Sequence, residues 1–308
     1  MKRNNKKNDI KKIAILTNGG DAPGLNAVIR AIVKTAEKHN IKSYGYIDGF
    51  RGLLNNEYVE LTSKQGVDKL LSRGGTVIGT SNSTNLFNFP VKNKSGKIEY
   101  KDLSDMCIEN VKKLGFDYIF TLGGDGTQKS ARDFAKKGLN IIGIPKTIDN
   151  DVADTDMTFG FLTAVNTVTE AIDKLHTTGE SHKRIMVVEV MGRYAGWIAL
   201  YSAIAGGADI CLIPEIHYNL EKVAKEIELK KKKFNKKYMI VVVSEGAIEK
   251  DGSLIVKKVL KDSSGLDNIR LGGAGDYVAK KLEELTNMPA RNTTLRIYPK
   301  RWKSCSTR

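Results

Sequence analysis

The sequence predicts an α/β protein with mainly parallel sheets covered by helices on both faces. Three observations carry this. Short apolar, β-rich runs at 11–17, 117–122, 140–144, 184–190, 208–214 and 238–244 alternate with stretches of helical periodicity. The runs are nearly continuous in apolar residues, as expected of strands buried on both faces. Gly- and Asp-rich clusters follow directly after strands, at the carboxyl ends where open α/β sheets bind ligands.

Taken in order, KKIAILT enters the turn GGDAPG, and LNAVIRAIVKTAEKH then places apolar residues at helical spacing. DYIFTL leads into GGDGT and a helix through Lys137, and NIIGI leads into PKTIDND. RIMVVEV, ADICLIP and YMIVVVS are further strands. Residues 74–101, rich in Gly, Asn and Ser, read as a loop; 248–272, with DGS and DSSG, reads as turns or a mobile loop. A division near residue 148 gives two α/β domains, 1–147 and 148–295, and leaves 296–308 as an irregular tail.

The chain has 308 residues, enough for two cores without disulfide staples. No apolar stretch approaches the ~18 residues of a membrane span, and the basic start runs into a strand without an apolar leader. Three cysteines at no recurrent spacing exclude a zinc site or disulfide framework. The expected compartment is the cytoplasm. The net charge of +15 invites a nucleic-acid partner, but much of it lies at the start, in the tail, and in the run Lys230 to Lys233 with Lys236 and Lys237. That run extends a solvated helix end after the amphipathic stretch 220–229. No nucleic acid and no membrane are expected as partners.

The loops carry the chemistry. In GGDGT the glycines let backbone approach a phosphate at a helix N-terminus. Asp125 there would repel phosphate without an intervening cation, so it reads as a Mg²⁺ carboxylate. GGDGT alone also occurs in lipid and NAD kinases. PKTIDNDVADTD gathers four aspartates in eight residues beside Lys146 and Thr147. Such crowding suits a base for an attacking hydroxyl together with a magnesium ligand, the requirements of phosphoryl transfer.

With SHKRIMVVEVMGR, AIAGGAD and VSEGA following in order, the chain resembles the 6-phosphofructokinase family over residues 12–295. The resemblance implies two Rossmann-like units, the first for the phosphoryl donor and the second for fructose 6-phosphate. It makes Asp149 the base at the sugar 1-hydroxyl, with Thr147 and Arg193 also catalytic. Thr147, Ile148, Asp149, Arg184, Met191, Gly192, Arg193, Glu245 and Arg291 become substrate contacts. Gly20, Gly124, Asp125, Gly126, Thr127 and Lys146 face the donor, and Asp125 with Asp151 serves Mg²⁺. The family divides between ATP and pyrophosphate as donor. Gly126, where pyrophosphate enzymes commonly carry Asp, favours ATP; Lys146 is typical of pyrophosphate users and also occurs in an ATP-using branch. At the centre of GTSNSTN, where the family carries an arginine, this chain has Asn82 and Ser83. His176 and His182 are expected to pack or cap. Family members are usually homo-oligomers.

After Leu295 the family continues with L-G-x-x-Q-R-G-G, whereas this chain reads LRIYPKRWKSCSTR. One possible coding sequence for this stretch, read one nucleotide out of register, yields Q-R-G-G followed by Ser-Pro. The tail is therefore expected to be out of frame, the C-terminal part of the fold missing, and activity low or absent. A non-catalytic nucleotide-binding relic is the alternative from another class.

Overall fold

The computed structural model describes residues 10–296 apart from 83, 94, 253–255 and 262–266. Of the tail expected to be out of frame, 296–308, all but Arg296 lie outside the described residues. Two compact units divide between Thr147 and Ile148.

In the first unit the order is β1 (Lys12–Thr17), α1 (Leu25–Lys38), β2 (Lys42–Tyr46), α2 (Phe50–Asn55), β3 (Tyr58–Leu61), β4 (Phe89–Lys92), β5 (Ile98–Lys101), α3 (Ser104–Leu114), β6 (Tyr118–Gly123), α4 (Asp125–Lys136) and β7 (Ile141–Thr147). Its sheet runs β3-β2-β1-β6-β7, parallel except where β3 pairs antiparallel with β2. Side-chain alternation sorts the core into two layers. Ala14 and Leu16 join Phe50, Cys107, Val111 and Phe134 on one face. Ile15 and Leu122 join Leu25, Ile29 and Val33 of α1 on the other. Beside α1, Ile13, Phe120 and Ile142 line an apolar groove of ≈ 550 Å³ with Ile32 and Ala36.

The second unit contains β8 (Phe159–Gly160), α5 (Phe161–His182), β9 (Ile185–Val190), α6 (Trp197–Ala205), β10 (Ile210–Leu212), α7 (Leu220–Phe234), β11 (Met239–Ser244), β12 (Val256–Lys261), β13 (Asp267–Leu271), α8 (Ala274–Thr286) and β14 (Ala290–Leu295). Its sheet runs β10-β11-β9-β14, parallel throughout. Every residue of β9 and β11 is buried, because α7 and α8 cover one face and α5 and α6 the other. His176 packs as expected. Its Nδ1 lies 3.0 Å from the Tyr238 hydroxyl and its Nε2 2.7 Å from the Gly206 carbonyl, tying α5 to the end of α6 and the start of β11.

The two stretches read as loops contain antiparallel hairpins, β4–β5 and β12–β13. In the first, Asn93 Oδ1 accepts from the backbone N–H groups of Ser95 and Lys97, and Gly96 takes φ +80°. The Asn- and Gly-rich composition that suggested a loop builds the turn, while FPVK and IEYK are too short for a clear strand period. The DSSG turn, 262–265, lies outside the described residues.

Candidate active site

Strands β1, β6 and β7 are neighbours and parallel, so their carboxyl ends bring the GGDAPG turn, GGDGT and Lys146–Thr147 together. At Gly123 a Cβ would sit 2.3 Å from Thr127 Oγ1, so only glycine fits. Gly124 caps α4 in an extended conformation, and a Cβ there would make only ordinary contacts with Lys146 and Thr147. Gly20 and Gly126 face open space, with nothing within 4 Å of a Cβ. Asp125 is the first residue of α4, where the helix dipole favours a carboxylate; Lys129 pairs with it at 2.7 Å. Thr127 is turned inward, 3% exposed, with Oγ1 packed against the Asn18 side-chain amide. Its hydroxyl therefore belongs to the turn's own packing.

Lys146 is 4% exposed, and its ammonium donates to the Gly20 carbonyl. Burial pulls it down to about 8, with Asp21 acting in the opposite sense. Burial raises Asp21 in turn, while the Ala22 N–H and Lys146 hold it down. The GTSNSTN loop is stitched to the same turn. Gly19 N–H donates to Ser81 O at 2.9 Å, and Thr80 Oγ1 donates to Gly19 O at 2.6 Å. Ser83 lies outside the described residues.

In the second unit the carboxyl ends of β9 and β11 meet. Glu245 N–H donates to Val190 O at 2.8 Å, and Ser244 Oγ donates to Gly192 O at 2.6 Å. Gly192 takes φ +138°, and a Cβ at Gly246 would strike the Arg193 carbonyl at 2.0 Å. Two glycines thus let the Met191–Arg193 and Glu245–Ala247 segments cross at close quarters. The Arg193 guanidinium stacks on Tyr194 at 5.0 Å. Asp149 is pushed up to about 6, by burial first and then by Asp151 and Glu245. Glu245 is raised by burial and by Glu189, against smaller opposing effects of the Gly192 backbone, Arg296 and Arg193. Ile148 packs against the α5–α6 core, and Asp151 is exposed. The loop between is shaped by Asn150, at φ +53°, whose Oδ1 accepts from Thr158 N–H at 2.9 Å.

Two expected sugar-phosphate contacts lie elsewhere. Arg184 precedes β9, and Arg291 pairs in register with Met186 near the start of β14. Both stand at the amino ends of these strands, about 20 Å (Arg184) and about 13 Å (Arg291) along the sheet from Val190 at the strand rise. The family resemblance grouped them with Arg193; the strand direction separates them within one chain.

Glu189 escaped the sequence reading. It is 2% exposed, and its carboxylate accepts from Gly273 N–H and Gly275 N–H, at 2.8 Å for the latter. It thereby caps α8, satisfying amides that have no partner within the helix. The signal was present: one acid inside an otherwise apolar strand.

Both units thus present Gly-rich turns at strand ends, one beside a buried lysine and the other around half-buried carboxylates, the class of an α/β protein that handles phosphorylated anions. A family model described as phosphofructokinase matches residues 12–298. The ATP-dependent 6-phosphofructokinase 2 of Clostridium perfringens is 53% identical over 288 residues, 93% of this chain and 78% of that protein. The pyrophosphate–fructose 6-phosphate 1-phosphotransferase of Streptomyces coelicolor is 45% identical over 287 residues, 92% of this chain and 79% of that one. Among solved structures, the Pichia pastoris phosphofructokinase in the T-state superposes with TM-score 0.75 at 31% identity, covering 92% of this chain and 29% of that chain. The chain belongs to the phosphofructokinase family.

Proposed function

We propose that this chain transfers a phosphoryl group from ATP to the 1-hydroxyl of fructose 6-phosphate, giving fructose 1,6-bisphosphate. The observation that carries the reading is Asp149. A carboxylate raised to about 6 is ionised at neutral pH yet basic enough to take the hydroxyl proton as the bond to phosphorus forms. Met191, Gly192, Arg193 and Glu245 hold the sugar beside it, and Thr147 and Ile148 line the approach. Gly20, Gly124 and Gly126 admit the donor phosphates to backbone N–H groups, and Asp125 and Asp151 supply the hard oxygen ligands that Mg²⁺ takes. Bound there, Mg²⁺ would neutralise phosphate charge. Lys146, buried at the Gly20 turn, stands in for the arginine absent at Asn82.

Open space at Gly126 supports ATP over pyrophosphate, since a side chain there would fill the room the nucleotide needs. Arg184 and Arg291, at the far end of the β9–β14 pair, serve the sugar phosphate of a neighbouring copy, so the working form is a homo-oligomer. Among the described residues no helix is long and apolar enough to cross a membrane.

The test is steady-state turnover of fructose 6-phosphate with MgATP and, separately, MgPPi. Whatever bisphosphate forms is expected to depend on ATP. Turnover with pyrophosphate alone would reverse the donor assignment, and nucleotide binding without turnover would leave the non-catalytic reading.

A further inference from the structure

Helix α7 carries a charged stripe that neither half of the site uses. Glu221, Lys225, Glu228 and Lys232 recur at i, i+4, i+7 and i+11, which sets them on one face. With Ala224, Leu229 and Leu285 of α8 they line a groove of ≈ 560 Å³. Leu229 is 62% and Leu285 46% exposed, while the core side of α7 is occupied by Leu220, Ala224 and Ile227.

The stripe alternates in sign, and the alternation is self-complementary. Let two copies of α7 run antiparallel about a two-fold axis between Glu226 and Ile227. Positions equally far from the axis then lie level. Glu221 meets Lys232, and Lys225 meets Glu228. All four charged α7 residues that line the groove thus find an opposite charge. Antiparallel alignment also sets the acidic first turn of each helix beside the lysine-rich last turn of the other. A groove shaped for an acidic or basic partner of another kind would carry one sign.

We infer that α7 is a two-fold contact between two copies of this chain, with the Glu221–Lys232 and Lys225–Glu228 pairs each made twice around Leu229 and Leu285. An isologous patch of this kind is closed by its own symmetry. Being one helix wide and solvent-exposed, it gives a weak, salt-sensitive association.

Carbodiimide cross-linking of mixed ¹⁵N-labelled and unlabelled chain, read by mass spectrometry, tests this directly. Mixed-isotope links joining Glu221 to Lys232 and Lys225 to Glu228 are expected. Glu221→Lys and Lys232→Glu each create two like-charge pairs, so each alone should cut the mixed-isotope Lys225–Glu228 link about tenfold. Mixing those two variants restores it, because every pair is again opposite in sign; misfolded chains would not be rescued by mixing. Links confined to one isotope, single variants that cross-link like the original, or no rescue on mixing would each overturn the contact.

Discussion

Lys146 and Asp149 stand three residues apart in the chain and belong to different units, and burial acts on them in opposite directions. The lysine falls to about 8 and the aspartate rises to about 6, because water loss disfavours the charged form of either group. The first unit offsets its buried cation with one carbonyl and one carboxylate, Gly20 and Asp21. The second gathers Asp149, Asp151, Glu245 and Glu189, and adds mutual repulsion to burial. The first unit thus holds a positive group that stays charged at neutral pH, and the second holds a carboxylate raised close to neutrality. Each arrangement costs stability, and each suits one partner of a phosphoryl transfer.

The largest expected effect breaks the acceptor side. Asp149→Asn should lower turnover by about 10²–10⁴-fold, the usual worth of a positioned base, with the Michaelis constant for the sugar phosphate little changed. Loss of binding with unchanged turnover would remove Asp149 from the base role.

The same variant should be more stable than the original chain at neutral pH, by about 3 kcal/mol. The folded-state pKa of Asp149 lies above its ordinary value of 3.8. Its contribution to stability is therefore full below about pH 4 and lost as pH rises through about 6. Denaturant melts of the two proteins should converge on acidification from pH 6 to 4.

Lys146→Met sharpens the comparison from the other side. The folded pKa lies below the ordinary 10.5, so the contribution of this lysine is present above pH 10.5 and lost as pH falls through about 8. The variant should gain about 1–3 kcal/mol at pH 7, less than the shift alone implies because Asp21 loses its partner. Its advantage should shrink between pH 8 and 10.5, and its Michaelis constant for the phosphoryl donor should rise. A variant as weak at pH 7 as a cavity mutant would point to packing instead.

Gly126→Asp should leave the melting temperature nearly unchanged, since nothing lies within 4 Å of the new Cβ. It should lower kcat/KM for ATP about tenfold relative to pyrophosphate. Equal losses for both donors would show that position 126 does not select between them.

Much of the fold was legible because buried parallel strands must be continuously apolar, as in IAIL, MIVVVS and RIMVVEV. The phosphate turns were legible because only glycine allows approaches such as Gly123 against Thr127. The hairpins at 89–101 and 256–271 were obscured by short strands and polar turns. Glu189 was visible as a lone acid in β9, but its task depends on α8, which arrives some eighty residues later.

Residue identities and their order by themselves determined the α/β class and the family resemblance, and pointed to particular glycines, aspartates and arginines. Those properties are local: side-chain volume, charge, and the backbone freedom of a turn. Tertiary structure alone decided which strand ends meet, and so parted Arg184 and Arg291 from Arg193, turned Thr127 inward and paired Lys146 with Gly20. It also set the degree of burial, and burial, acting through solvation, raises Asp149 to about 6 where its neighbour Asp151 lies exposed.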